Sequence, residues 1–211
     1  MHTWESKPYT DDAENGRLHF LFYTISFEPR NRKMPMRITR QTTIMELSPY
    51  IQHHPGKRYI KFPENATSIE PLGLVGETFP IIILPEGIIH IGRAAFLASR
   101  MQGVSLPDSL KVIDDDAFCG CTRLNHLYLP KHITHIGTRA FMCCDEIKEI
   151  VFPETVEYIG NEAFAYCRRL KKVFLHEKTT LGEDVFIDNH PKIKIERYQN
   201  RKDLPIPYCY S

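Results

Sequence analysis

The sequence lacks an excess of charge of either sign, because its 211 residues include 27 Lys and Arg against 26 Asp and Glu. The resulting net charge of +1 argues against a protein that binds nucleic acid through overall basicity. Long hydrophobic runs are also missing, and none approaches the length of roughly 18 residues that a membrane-spanning helix needs. The hydrophobic fraction of 42% and the charged fraction of 25% are ordinary for a globular chain and argue against disorder throughout.

Common catalytic and cofactor motifs are absent as well. The chain contains no nucleophile elbow, no HExxH zinc motif, no glycine-rich phosphate loop and no paired carboxylates in a recognisable frame. Its first twenty residues carry acidic side chains and no uninterrupted apolar core, so they do not read as a secretory signal. We therefore expect a cytoplasmic protein that is not an enzyme and that binds no cofactor or metal.

The second half of the chain consists of an internal repeat with a period of 22 to 23 residues. Five segments, which begin at residues 82, 104, 127, 150 and 173, agree column by column. The clearest columns are a proline column, which His176 breaks, and a phenylalanine column: Pro85, Pro107, Pro130 and Pro153, and Phe96, Phe118, Phe141, Phe164 and Phe186. Five aligned copies of such a pattern exclude chance similarity.

Each copy predicts a short strand followed by a turn. The strand, such as Val104-Ser105-Leu106, ends at the proline, which has no N–H to donate to a β-ladder. Glycine at positions 92, 137, 160 and 182 permits a tight bend, and the segment Ala-Phe-x-x-Cys-x-x-Leu then places apolar residues at a helical or 3₁₀ spacing. Because one copy cannot bury its own apolar face, we expect the copies to stack as a solenoid with a shared core.

The pattern xxLPxxxxxIGxxAFxxCxxL resembles the BspA-type (Treponema-type) leucine-rich repeat over about residues 81–195. The resemblance implies an α+β solenoid of about five repeats, with strands stacked on one side, and an adhesive or protein-binding role. Many members of that family are secreted or surface-exposed, and the expected cytoplasmic location departs from them. We expect residues 196–211 to form a C-terminal cap over the last repeat, near Phe186 and Ile193.

Six cysteines invite a disulfide or a zinc interpretation. Three of them form one inward column of the repeat, where a small thiol packs well: Cys121, Cys144 and Cys167. Cys119 and Cys143 lie outside that column, and Cys209 lies near the C-terminus. Zinc would need four converging ligands, but His132 and His135 occupy the variable outward part of a repeat. We therefore predict buried, unreactive thiols in the column.

The region before the repeats is divided into an acidic flexible tail, residues 1–16, and a β-rich unit, residues 17–84. LHFLFYTISF and MRIT indicate two strands, and Thr43 with Glu46 forms a capping box for a short helix over 44–53 that Pro49 interrupts. The strand RYIKF and the stretch SIEPLGLVGETFPIIIL follow. This order resembles a ubiquitin-like β-grasp domain.

A second interpretation treats the same region as an irregular cap of the solenoid. Phe62-Pro63-Glu64 stands 22 residues before Pro85 and would mark a degenerate first repeat. Solenoids need caps, since an open end exposes both the core and a strand edge. Both interpretations remain open from the sequence, and in both of them the IIIL strand joins the N-terminal unit directly to the repeats.

Strand alternation predicts which repeat residues face outward and are available to a partner. The middle residue of each strand forms what we call the strand row: Ile83, Ser105, Tyr128, Val151 and Phe174. His126, Glu149 and Lys172 flank it. A line of exposed apolar and aromatic side chains with a charged rim is typical of a protein-binding patch. The main hypothesis is therefore an adaptor or scaffold that binds another protein through this row and the N-terminal unit. The alternative for the row itself is that the N-terminal part or the C-terminal tail folds over it.

An alternative hypothesis rests on charge in the N-terminal region. Residues 17–61 carry nine basic side chains against two acidic ones, a local net charge of +7: Arg17, Arg30, Arg32, Lys33, Arg37, Arg40, Lys57, Arg58 and Lys61. Such a segment attracts acidic partners, including nucleic acid and anionic membranes. The alternative function is therefore an anion-directed binder.

Overall fold

The computed structural model describes residues 36–38, 51–54, 57–62, 64–76 and 78–204. Within these ranges the regular structure consists of short strands and one 3₁₀ helix, Arg201–Asp203. The strands are β1 (Met36–Ile38), β2 (Ile51–His54), β3 (Lys57–Lys61), β4 (Ala66–Ile69), β5 (Ile81–Ile83), β6 (His90–Ile91), β7 (Gly103–Ser105), β8 (Val112–Ile113), β9 (His126–Leu127), β10 (His135–Ile136), β11 (Glu149–Val151), β12 (Tyr158–Ile159), β13 (Lys172–His176), β14 (Thr180–Leu181) and β15 (Lys194–Tyr198). No helix in the described ranges is long and apolar enough to cross a membrane.

The strands form two ladders that run along opposite sides of a solenoid. One ladder is a seven-stranded sheet in the order β1-β4-β6-β8-β10-β12-β14. The other ladder consists of a five-stranded sheet, β2-β3-β5-β7-β9, and a three-stranded sheet, β11-β13-β15. Neighbouring strands of the repeats pair in parallel one repeat apart, as in Ile82 with Val104 and Val104 with Leu127. Among the described strands, only β2 and β3 pair antiparallel. The architecture is a parallel β-solenoid of about six turns.

The helical part of the expected α+β class is not found in the described residues, because the Ala-Phe-x-x-Cys segment forms turns. Each turn holds two residues with left-handed φ, four positions apart, which a helix does not tolerate. In one repeat these are Asp116 (φ 56°) and Gly120 (φ 73°), and in the next they are Arg139 (φ 53°) and Cys143 (φ 59°). The segment therefore bends twice instead of winding into a helix.

The amides of each turn are divided between local bonds and bonds to the next repeat. Cys119 N–H donates to Asp116 within its own turn at 3.0 Å, whereas Phe118 N–H donates to Ala140 of the next turn at 2.7 Å. Because the same alternation recurs in the other repeats, the turns as well as the strands join neighbouring repeats through backbone hydrogen bonds. The solenoid is thus held together on both sides of its core.

The core is built from the repeat columns. The rings of Phe96, Phe118, Phe141 and Phe164 stack almost parallel, with centroids 4.9, 5.0 and 4.9 Å apart. Phe186 continues the column at 6.0 Å and is only partly buried at the end of the stack. Isoleucines of the seven-stranded sheet, the alanines before each Phe and the cysteine column fill the remaining interior. Each repeat thus buries its apolar residues against its two neighbours.

Glycine is required in its column of the repeat for a reason other than the expected tight bend. Gly137 and Gly160 do not lie in the left-handed φ region. A Cβ on Gly160 would stand 2.5 Å from the backbone nitrogen of Thr138, and one on Gly137 would stand 2.5 Å from that of Asp115. These glycines are therefore needed because the backbone of the preceding repeat passes too close for a side chain.

The N-terminal unit stacks on the repeats wherever it is described. β3 pairs with β5 and β4 pairs with β6, both in parallel, and Phe62 is buried with its N–H bonded to Ile83. This stacking is what the interpretation as a degenerate first repeat predicts. The ubiquitin-like β-grasp is not confirmed: residues 51–54, at the end of the expected helix, form a strand, and residues 17–35 and 39–50 lie outside the described residues.

Candidate functional site

The strand row lies on the outer face of the ladder that contains β5, β7 and β9, as the alternation predicts. Tyr128 is 65% exposed, the highest exposure among the large hydrophobic side chains that the structure describes. Ser105 and His126 are exposed beside it, and Ile83 is half-buried. The first three members of the strand row therefore reach solvent.

The expectation that Val151 and Phe174 are exposed is wrong. They are only 4% and 5% exposed, and they form a small apolar cluster with Tyr198 and Leu204. After β15 the chain turns back across the outer face, and the Tyr198 hydroxyl donates to the Phe152 carbonyl at 2.6 Å. The C-terminal segment, residues 198–204, thus covers the second half of the strand row. The cap expected near Phe186 and Ile193 stays a prediction, since residues 205–211 lie outside the described ranges.

The sequence carries one signal for this cover. His176 stands where the other strands have proline, so β13 continues one residue further than a proline would allow. β15 pairs with β13 along five residues, from Lys172 with Lys194 to His176 with Tyr198. The ring of Tyr198 also meets His176 edge-on at a centroid distance of 5.3 Å. The break in the proline column therefore marks the point where the C-terminal segment is attached.

A cleft opens beside Tyr128 because the ladder is interrupted there. β9 pairs with β7 and β11 pairs with β13, but no strand pairing joins β9 to β11 among the described residues. The opposite ladder continues through β10 and β12, so the repeats stay stacked. We call the resulting hollow of about 160 Å³ the cleft, and its walls are Asn125, His126, Leu127, Tyr128, Lys148, Glu149, Ile150 and Val151.

The two charged residues predicted to flank the strand row contact each other. Lys172 Nζ lies 3.4 Å from Glu149 Oε2, and both side chains keep part of their surface in solvent. This ion pair joins β13 to β11 at the rim of the cleft. Because the pair is exposed, it adds little to stability, and it offers a partner one acidic and one basic group.

The repeat matches a known family model. A model described as BspA type leucine-rich repeat region matches residues 67–194 in six copies. The chain belongs to the BspA-type leucine-rich repeat proteins. The resemblance predicted from the repeat is confirmed, with one copy more than the five that the alignment of the sequence counted. The additional copy begins within the N-terminal unit.

Solved structures of bacterial leucine-rich repeat proteins are similar to this one. A leucine-rich repeat protein from Bacteroides ovatus is 29% identical with a TM-score of 0.51, over 70% of this chain and 38% of that one. The pneumococcal vaccine antigen PcpA is 25% identical with a TM-score of 0.54, over 82% of this chain and 42% of the antigen. A leucine-rich repeat protein of T. pallidum shares the fold, with a TM-score of 0.52 and 21% identity. The match covers 60% of this chain and 69% of that one. The chain thus spans less than half the length of the first two, and no curated protein matches it.

The cysteine column of this leucine-rich repeat protein is buried, as predicted, and it belongs to a longer ladder of donors. The thiols of Cys121, Cys144 and Cys167 donate to the carbonyls of Phe96, Phe118 and Phe141 at 3.2, 3.3 and 3.2 Å. Ser99 and Asn189 make the corresponding bonds, at 2.9 Å, at the two ends of the ladder. Burial raises the pKa of Cys121 and of Cys167 to about 12, and it raises that of Cys144 well above 9.0. These thiols are therefore protonated hydrogen-bond donors and not nucleophiles.

Thiol alkylation in the leucine-rich repeat protein should be slow and should depend steeply on pH. Burial, followed by the charge of Asp116, raises the pKa of the half-buried Cys119 from 9.0 to about 11. Because the thiolate is the reactive form, we expect the rate at which iodoacetamide modifies Cys119 to rise about tenfold for each pH unit between pH 8 and pH 10. The rate at a free cysteine should level off above its lower pKa. Mass spectrometry of tryptic peptides measures each site, and rapid modification of Cys144 in the folded protein would contradict this result.

The basic segment of this leucine-rich repeat protein is only partly described. Arg37 is exposed and lies 3.0 Å from Glu70, so it is already paired with an acidic group. Lys57 and Arg58 belong to β3 by their backbone, and Arg30, Arg32, Lys33 and Arg40 lie outside the described residues. The anion-directed binder therefore stays a prediction from the sequence.

Proposed function

We propose that this chain is a protein-interaction module that binds its partner through the open part of the strand row, centred on Tyr128. Leucine-rich repeat solenoids generally act as protein-binding modules without catalytic activity. The observation that carries the proposal is the 65% exposure of the Tyr128 side chain on a rigid ladder, beside a cleft. Tyrosine is enriched at protein interfaces because it offers a large apolar area and a hydroxyl at a low cost in conformational entropy.

The contact extends beyond the strand row. Three positions of the row remain open, Ile83, Ser105 and Tyr128, and successive repeats stand about 5 Å apart. A strip of that length cannot supply the roughly 800 Å² that each partner contributes to a standard interface. The partner must therefore also reach the walls of the cleft and the charged rim next to them. In this proposal the C-terminal segment limits the interface to the first half of the row.

The test is the capture of partners from native cells by the full chain and by Tyr128→Ala. We expect Tyr128→Ala to lose at least one protein that the unchanged chain retains, because the substitution removes the aromatic anchor without touching the core. Tyr158→Ala is the matched control, since Tyr158 is an exposed tyrosine, 39% accessible, on the opposite ladder. Identical sets of captured proteins from all three chains would contradict the proposal.

A further inference from the structure

The residues that precede the strands form a second exposed column next to the strand row. This column continues from Gln102 and Asn125 into Lys148 and Lys171 of the next two repeats, and Lys194, which lies opposite Lys172, follows at the start of β15. We call these three residues the lysine ladder: Lys148, Lys171 and Lys194. Backbone hydrogen bonds join the three segments, because the Lys171 amide donates to the Lys148 carbonyl and the Lys194 amide to the Lys171 carbonyl, both at 2.8 Å. All three side chains are exposed.

The neighbouring charges on this rim are paired, whereas the lysine ladder is not. Each of three basic residues contacts an acidic residue of the preceding repeat: Arg168 with Asp145 at 3.9 Å, Arg169 with Glu146 at 2.6 Å, and Lys172 with Glu149 at 3.4 Å. Among the described residues, none forms an ion pair with Lys148, Lys171 or Lys194. In the part of the chain that the structure describes, the rim therefore carries three lysines without an ion partner.

Folding gives no reason for this arrangement. Like charges on adjacent strands repel one another, so Lys171 beside Lys148 and Lys194 opposite Lys172 weaken the stack slightly. The interior columns and the backbone ladder already determine the stacking of the repeats. Charges that do not serve the fold are the ones expected to serve recognition.

The lysine ladder begins in the wall of the cleft. Lys148 lines the cleft together with Tyr128 and Ile150, so positive charge and apolar surface meet at one place. The interruption between β9 and β11 also leaves the Lys148 amide without the bond to the preceding repeat that the Lys171 and Lys194 amides make. The cleft thus offers a positive group, an aromatic ring and a free backbone donor within two short segments of chain.

We propose that the lysine ladder and the cleft together bind an extended acidic segment of a protein partner. Carboxylates of the segment pair with the lysines, and an apolar side chain contacts Tyr128 inside the cleft. Side chains on one face of an extended peptide recur every ~6.7 Å, and the flexible lysine stems cover the difference from the spacing of the repeats. This inference rests on the proposed function and names the chemistry of its partner.

The charges between the lysines favour a peptide over a nucleic acid. Asp145, Glu146 and Glu149 lie on the same rim, each beside the basic residue of the next repeat. A continuous phosphate backbone would be repelled by these carboxylates. An acidic peptide instead places one carboxylate opposite each lysine and neutral residues between them.

The test measures fluorescence anisotropy with the full chain and a labelled synthetic peptide in which Glu alternates with Val. We expect Lys148→Gln/Lys171→Gln to weaken binding of this peptide about tenfold, and to leave the thermal midpoint unchanged or slightly raised. The matched control is Lys111→Gln/Lys178→Gln, which removes two exposed lysines outside the lysine ladder and should bind as the unchanged chain does. A peptide with Gln in place of Glu should not bind.

Four results would overturn the proposal. They are equal binding of the Gln peptide, equal weakening by the control pair, tighter binding of a DNA oligonucleotide of the same charge, and peptide binding only after removal of residues 205–211. The last result would identify that segment of the chain as the ligand of the cleft. If the peptide fails while Tyr128→Ala still loses a captured protein, only the acidic partner is excluded and the proposed function stands.

Discussion

Replacing Phe141 by alanine should lower the free energy of unfolding by about 3 to 5 kcal/mol, the usual cost of removing a buried aromatic ring. Phe141 is fully buried and stacks on Phe118 at 5.0 Å and on Phe164 at 4.9 Å. Its removal leaves a cavity between two repeats whose backbones are held apart by hydrogen bonds from both ladders. Because the neighbours cannot close this gap, both the buried area and the stacking contacts are lost. Urea denaturation followed by circular dichroism measures the effect.

Two variants make this expectation specific. Phe186→Ala removes the same side chain at the end of the column, where the ring is only partly buried and 6.0 Å from its neighbour, so we expect a loss of about 1 to 2 kcal/mol. Phe141→Leu should cost less than Phe141→Ala, since Leu74 already occupies the corresponding position of the first repeat. If Phe141→Ala and Phe186→Ala cost the same, the cavity argument is wrong.

Gly160→Ala should be the second most damaging change, with a loss of about 3 kcal/mol, at the upper end of the usual cost of overpacking. The added methyl group would stand 2.5 Å from the Thr138 nitrogen and 2.6 Å from the Gly137 carbonyl carbon. These atoms are backbone of the preceding repeat, and Gly160 N–H itself donates to Ile136 at 2.8 Å. Relief of the clash therefore requires the two repeats to separate and to lengthen hydrogen bonds. The same denaturation experiment measures the loss.

Gly103→Ala is the control for this substitution. Gly103 lies in β7, and the nearest atom to a Cβ built there is the Cβ of His126 at 3.7 Å, an ordinary van der Waals distance. We expect the variant to be as stable as the unchanged chain or slightly more stable, because alanine loses less conformational freedom than glycine on folding. A loss at position 103 as large as that at position 160 would show that glycine is needed for a reason other than close approach.

Strand alternation correctly predicts the direction in which each side chain of the strand row points, but it does not predict which of these side chains reach solvent. It correctly predicts that Tyr128, Val151 and Phe174 point away from the solenoid core, since the pleat of a strand is a local property. Only Tyr128 reaches solvent, because Tyr198 and Leu204 cover the other two. Cover by a segment 24 to 53 residues away along the chain depends on where that segment ends up in space. His176 was the only local residue that pointed to it.

The cleft and the lysine ladder could likewise be predicted from the sequence only in part. Lys148 and Lys171 can be read from the alignment, because each stands seven residues after the phenylalanine of its repeat, whereas Lys194 stands eight after Phe186 and aligns with Lys172. Their lack of ion partners depends on which acidic residue each neighbouring arginine or lysine reaches, as Arg169 reaches Glu146. The missing strand pairing between β9 and β11 has no counterpart in the sequence, since both segments match the repeat.

The sequence by itself determined the period, the family and the interior columns of this protein, because a stacked repeat must place the same kind of residue at the same depth in every turn. It also determined that the cysteine column is buried, since those residues share the register of the phenylalanines. The tertiary structure alone decided three matters: turns in place of helices, the close approach that requires glycine, and the segment that covers Val151 and Phe174. Each of these depends on the distance between repeats or on contacts between distant residues, and a one-dimensional pattern contains neither.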